Sequence, residues 1–260
     1  MNVSKIRQIF RIALILLLAL PLVGCIYWWR AYQTYLQMGE FDRYFKVEVA
    51  DDFTLHFNEP ILYSEDFVSL AKLHASEEKP TPTGKRWRYW FRKVDEKRKL
   101  VTPKIEFYSD LTFNRKDRIT AWSFSPLFLE IAPPKLLEVS LRSIGGADIN
   151  KEKMQLKADT SRLGKIDVEL PLKNKVVEKL GEPLRIDNDM DQEVYVYHFK
   201  LMTHGIQEGY EDRELTVLNL SFDKKTQELT KMSGRFAGLK ISINYGNLVG
   251  KTPPGSLVSG

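Results

Sequence analysis

The chain has 260 residues, with 39 Lys/Arg against 34 Asp/Glu and 12% aromatic residues. Its formal charge of +5 falls to +2 (36 cations against 34 anions) once residues 1–24 are set aside, because these carry Lys5, Arg7 and Arg11 and no acid; this excludes a nucleic-acid-binding polycation. A single cysteine, Cys25, excludes an internal disulfide, so the fold must rely on its core.

The cationic start leads into the apolar run Ile12 to Gly24, which closes in Leu22-Val23-Gly24-Cys25. This layout resembles a bacterial lipoprotein signal ending in a lipobox. The resemblance implies a signal peptide over residues 1–24, a small Gly24 that leaves the scissile bond accessible, and a Cys25 thiol that takes a diacylglyceryl group. Ile26, where an aspartate would retain the product, implies sorting to the outer membrane, facing the periplasm. An uncleaved signal anchor is the alternative. Residues 12–29 are all apolar or small, close to the ~20 residues of a membrane-spanning helix. Trp28 and Trp29 would then sit at the interface of the inner membrane. Both readings attach the chain to a membrane by its N-terminus and place the remainder outside the cytoplasm.

Residues 25–47, rich in Tyr and Phe, read as a tether or helical strap. The chain then matches itself. Leu111-Thr112-Phe113-Asn114-Arg115-Lys116-Asp117 aligns with Leu220-Ser221-Phe222-Asp223-Lys224-Lys225-Thr226, and Trp87 to Phe91 aligns with Tyr195 to Phe199. Each copy reads as a helix and three strands. The first copy gives a helix over 65–76, then strands over 85–94, 104–113 and 118–131. The second gives a helix over 173–180 stopped by Gly181-Glu182-Pro183, then strands over 194–201, 215–222 and 228–245. The expected fold is therefore α+β: two tandem αβββ two-layer repeats, each with a helix on an antiparallel meander. The first spans 48–131; the second, with its connection, spans 132–247. A strand and a Gly145-Gly146 connection are expected within 135–170, and a flexible tail over 248–260.

The tracts Val176 to Pro183, Tyr195 to Phe199 and Leu218 to Asp223 are similar to the SmpA/BamE-type small envelope lipoproteins. That resemblance implies a non-catalytic, partner-binding module; the first copy lacks the Gly-x-Pro that follows the helix.

Residue spacing supplies no catalytic signature. His56, His74, His198 and His204 have no companions at ligand spacing, so no metal is expected. Asp187-Asn188-Asp189-Met190-Asp191 lacks the glycine and distal glutamate of a calcium loop. No cofactor is expected. The segment 85–99 is more informative, with eight Lys/Arg against Asp95 and Glu96. Strand alternation sends Trp87, Tyr89 and Phe91 to the core and Arg86, Arg88, Trp90 and Arg92 to the opposite face. That second set is the candidate surface for an envelope partner or anionic lipid headgroups; a solvated face, or burial of Trp90 against the other repeat, is the structural alternative. The functional expectation is a membrane-anchored, non-catalytic envelope lipoprotein acting as an interaction module. A lipid carrier and an envelope hydrolase without a recognisable motif are the alternatives.

Overall fold

The computed structural model describes residues 22–146, 148–150, 155–157, 164–236 and 239–250. It opens with helix α1 (Leu22–Met38) and the single turn α2 (Phe41–Tyr44), followed by β1 (Phe45–Val49), β2 (Phe53–Phe57) and α3 (Ser64–Ala71). Strands β3 (Glu77–Thr81), β4 (Gly84–Val94), β5 (Glu106–Asn114) and β6 (Ile119–Phe124) come next, then helices α4 (Pro126–Leu129) and α5 (Pro134–Arg142). The remainder comprises β7 (Asp148–Asn150), β8 (Gln155–Lys157), α6 (Lys173–Leu180), β9 (Arg185–Asn188), β10 (Gln192–Leu201), β11 (Leu215–Asp223), β12 (Leu229–Phe236) and β13 (Leu239–Asn244).

The strands form one continuous sheet in the order β1-β2-β6-β5-β4-β10-β11-β12-β13-β8-β7, with β3 and β9 added on β4 and β10. The nine strands from β1 to β13 along that order pair antiparallel and curl into a half-barrel, and β8 joins β13 in parallel. This overturns the expected pair of tandem αβββ two-layer repeats. The reason lies in β4 and β10. Each is longer than the edge partner it has on one side, and β10 pairs β4 at Phe91↔Leu201 and Lys93↔Phe199. The halves thus share one sheet and one core. Phe107 sits 4.9 Å from both Phe91 and Phe199, and Phe128 and Phe236 close the same ring cluster.

The matched tracts nonetheless make matching hairpins. Asn114 Oδ1 accepts from the N–H groups of Lys116 and Arg118, and Asp223 Oδ1 from those of Lys225 and Thr226. Each side chain replaces a turn carbonyl, as Asn and Asp do. A bulge follows the same pattern in both, at Thr112/Phe113 and at Ser221/Phe222.

Other expectations fail locally. The strand over 118–131 stops at Phe124, because Ser125-Pro126 starts α4 with proline at its first position. The strand over 228–245 folds back on itself, with Phe236 paired to Leu239. The stretch 135–170 holds its expected strand as β7 and β8, but it opens on a helix that was not expected: Pro133-Pro134 starts α5, whose Leu136, Leu137 and Leu141 are buried in the core. The first helix ends at Ala71, and Lys72 takes the left-handed conformation after it. The strap over 25–47 is α1, α2 and the start of β1.

Candidate interaction site

Cys25 lies in the first turn of α1; residues 1–21, with most of the apolar leader, fall outside the described residues. Among the described residues no helix is long and apolar enough to cross a membrane. α1 is fixed to the body early. Arg30 contacts Glu65 at 2.7 Å and Asp66 at 2.8 Å, and its guanidinium lies 4.6 Å from the Tyr63 ring centre. Tyr63 N–H donates to Asp66 Oδ2 at 2.7 Å, so Asp66 starts α3 and receives α1 at once. Burial lifts the Asp66 carboxyl above its usual range, opposed by the Tyr63 N–H and by Arg30. The 2.8 Å guanidinium contact and the N–H donor both favour the charged form. α1 also exposes Ile26, Trp28, Trp29, Tyr32 and Leu36.

β4 separates the candidate residues by alternation. Trp87, Tyr89 and Phe91 are buried, while Arg86, Arg88, Trp90 and Arg92 share the outer face, half-buried. The arginines are not free cations. Arg88 makes two hydrogen bonds to Asp110 at 2.7 and 2.6 Å, and Arg92 donates to Glu106 at 2.8 Å. Arg86 stands 3.8 Å from Asp110. The bond to Asp110 raises the Arg88 pKa against the effect of burial. Burial alone would raise Glu106, but bonds from Lys104 and Arg92 hold its carboxyl below the ordinary value. Trp90 meets Tyr108 edge-on at 5.2 Å, and the Arg88 guanidinium lies 3.7 Å from the Tyr108 ring centre. The set is a cross-strand lattice of rings and ion pairs, with its charge largely neutralised in place.

Asp110 and Glu106 were not singled out from sequence. The hairpin register would have found them, since Arg88 faces Asp110 and Arg92 faces Glu106 directly across β4 and β5. Within the basic run 85–99, the exposed cations without a carboxylate contact among the described residues are Lys97, Arg98 and Lys99, on a turn whose N–H groups donate to Asp95 Oδ1. Lys93, counted in the same basic run, lies on the core face. Its ammonium donates to the carbonyls of Leu180 and Glu182 at the end of α6.

A cleft of about 670 Å³ opens between α1, residues 59–61 and the turn at 114–118. Its polar groups serve the fold: Gln37 donates to Glu59 O and Arg118 to Pro60 O. His56 touches Glu48 at 3.1 Å on the exposed face, and burial lowers the pKa of His198. Asp187 and Asn188 belong to β9 and are exposed, so the acidic tract is part strand and part turn. Among the described residues no three His, Cys, Asp or Glu groups are placed to hold a metal ion.

No protein-family model, curated protein or solved structure matches the chain. The likeness of residues 176–223 to SmpA/BamE-type lipoproteins therefore rests on its short tracts alone.

Proposed function

We propose that this chain is a membrane-anchored, non-catalytic interaction module of the bacterial cell envelope, attached through an acylated Cys25 and facing the periplasm from the outer membrane. The seam between leader and body carries this reading. The described part of α1 takes in the lipobox tract from Leu22, and Arg30 clamps the helix to Glu65 and Asp66. Arg30 stands five positions after Cys25, about 7–8 Å along a helix. A body held so close cannot sweep on a tether. It keeps one side against the membrane, where Trp28, Trp29 and Tyr32 are the residue types that favour the interface.

The outer sheet face then points a ring lattice, Trp90 with Tyr108, and the Lys97-Arg98-Lys99 turn toward a partner or anionic headgroups. A lipid carrier has less support, because α5 and the phenylalanine cluster occupy the core side of the curled sheet. One observation favours the second attachment, an uncleaved anchor in the inner membrane: α1 runs without a break from Leu22 through Cys25 to Met38.

Co-sedimentation with anionic vesicles, and affinity recovery of envelope proteins, test the surface. Replacing Lys97, Arg98 and Lys99 together by Gln should weaken vesicle binding, with the wild-type signal fading as salt rises. Trp90→Ala should weaken partner recovery. Unchanged behaviour of both variants in both assays would remove this face from the proposal.

A further inference from the structure

The strand β1 ends the sheet, and among the described residues nothing pairs with its outer edge. The register of β1 with β2 fixes which groups that edge offers. Asn58 N–H donates to Tyr44 O, and Ala50 N–H to Asp52 O. Residues 44, 46, 48 and 50 therefore turn their main-chain groups toward β2, and Phe45, Val47 and Val49 turn theirs outward. The N–H of Phe45 is already given to Phe41 O. The free groups are the N–H of Val47 and Val49 and the carbonyls of Phe45, Val47 and Val49.

The side chains of this edge alternate with a particular symmetry. Lys46 and Glu48 are exposed on one face, two residues apart around Val47, and Val49 is 53% exposed on the other. Lys46 has no carboxylate contact among the described residues, while Glu48 touches only the exposed His56. An exposed edge commonly carries a lysine that discourages pairing. Here the sequence Phe45-Lys46-Val47-Glu48-Val49 is its own complement when reversed.

We propose that β1 pairs antiparallel with β1 of a second copy of this chain, about a two-fold axis at Val47. In that register Val47 faces Val47, Phe45 faces Val49, and each Lys46 faces the other copy's Glu48. The free groups then match: Val47 N–H donates to Val47 O, and Val49 N–H to Phe45 O, each twice by symmetry. Lys46 and Glu48 fall at a non-hydrogen-bonded pair, where facing side chains approach most closely. A parallel pairing in the same register would set Lys46 against Lys46 and Glu48 against Glu48, so charge selects the antiparallel form. Strands of five residues bury less than a standard interface. The association is therefore weak in solution and is raised where copies share a membrane.

Charge reversal reads the register. Full-length chain in detergent micelles, followed by sedimentation equilibrium from micromolar to millimolar concentration, should self-associate to a dimer. Lys46→Glu alone should weaken this by about ten-fold or more, because two attractions become two repulsions. Lys46→Glu with Glu48→Lys should restore it. Lys46→Glu protein mixed with Glu48→Lys protein should form the mixed dimer, although each alone is weakened. Both positions are exposed, and unchanged melting temperatures show that the variants fold. A wild-type monomer across the whole range overturns the proposal. So does a dimer that Lys46→Glu leaves unchanged, since the apolar leader would then be what holds the copies together.

Discussion

The ammonium of Lys93, on β4, donates to the main-chain carbonyl of Leu180 at 2.6 Å. It thereby caps the C-terminus of α6, which comes from the other half of the chain, at the end of the helix that carries partial negative charge. Gly181 makes the approach possible. Its φ is +65°, and a Cβ there would stand 3.2 Å from both the Lys93 ammonium and Ile105. The Gly-x-Pro stop after α6 thus serves a contact between halves as well as a helix end.

Lys93→Met should destabilise the protein by about 1–3 kcal/mol, since two buried carbonyls lose their donor. Burial lowers the pKa of Lys93 from the ordinary 10.5, with Glu182 opposing. Between that lowered folded value and 10.5 the unfolded chain binds more protons, so this group adds stability as pH rises through the window. Denaturant titrations at several pH values should show that rise in the wild type and its loss in Lys93→Met.

Tyr89, Tyr197 and Tyr245 are buried, and burial pushes each hydroxyl well above the usual value of 10.0. Above that value the folded state holds protons that the unfolded chain releases, so stability falls as pH rises further. Tyr245 donates to Ile131 O at 2.6 Å. Tyr245→Phe should cost about 1 kcal/mol near neutrality and make alkaline unfolding less steep. An equal slope in the variant would mean that Tyr245 is solvated before the fold opens.

Asp66→Ala leaves Arg30 partly buried with the exposed Glu65 as its one carboxylate partner among the described residues. Breaking a buried ion pair from one side costs about 3 kcal/mol or more. The loss should concentrate at α1, detected as faster proteolysis after Arg30 with the sheet still intact by circular dichroism. Glu65→Ala should do much less, because that carboxylate is 59% exposed.

Trp87→Ala and Trp90→Ala should part ways, although the residues are three apart on one strand. Trp87 is 5% exposed and meets Phe113 edge-on at 5.0 Å; its truncation should cost about 3–5 kcal/mol. Trp90 loses only its contacts with Tyr108 and Arg88, about 1 kcal/mol. Equal thermal destabilisation of the two would make Trp90 a core residue and remove it from the partner surface.

Strand alternation alone was enough to sort Trp87, Tyr89 and Phe91 from Arg86, Arg88, Trp90 and Arg92. The same parity places Lys93 in the core, but its charge disguised it within a basic run. The architecture was harder to read. Period and turn residues specify hairpins, whereas the joining of β4 to β10 depends on which long strand is left without a full-length neighbour, a tertiary matter. The division expected between 131 and 132 falls beside Pro133-Pro134, where proline at the first helical position starts α5. β1 and β2 had a legible signal in the alternation of Phe45-Lys46-Val47-Glu48-Val49 and Phe53-Thr54-Leu55-His56-Phe57. It was masked by an aromatic stretch that suggested a strap. The carboxylates that neutralise the arginine face follow from register, which only the turn geometry fixes.

Attachment of the body to the membrane through Cys25 is decided at the N-terminus. The full-length chain, produced in a bacterium fed a labelled fatty acid and isolated from the membrane fraction, should yield an N-terminal peptide that begins at an acylated Cys25. Cys25→Ser should carry no label. A chain that retains Met1, takes up no fatty acid and is recovered without membranes would contradict the proposed function.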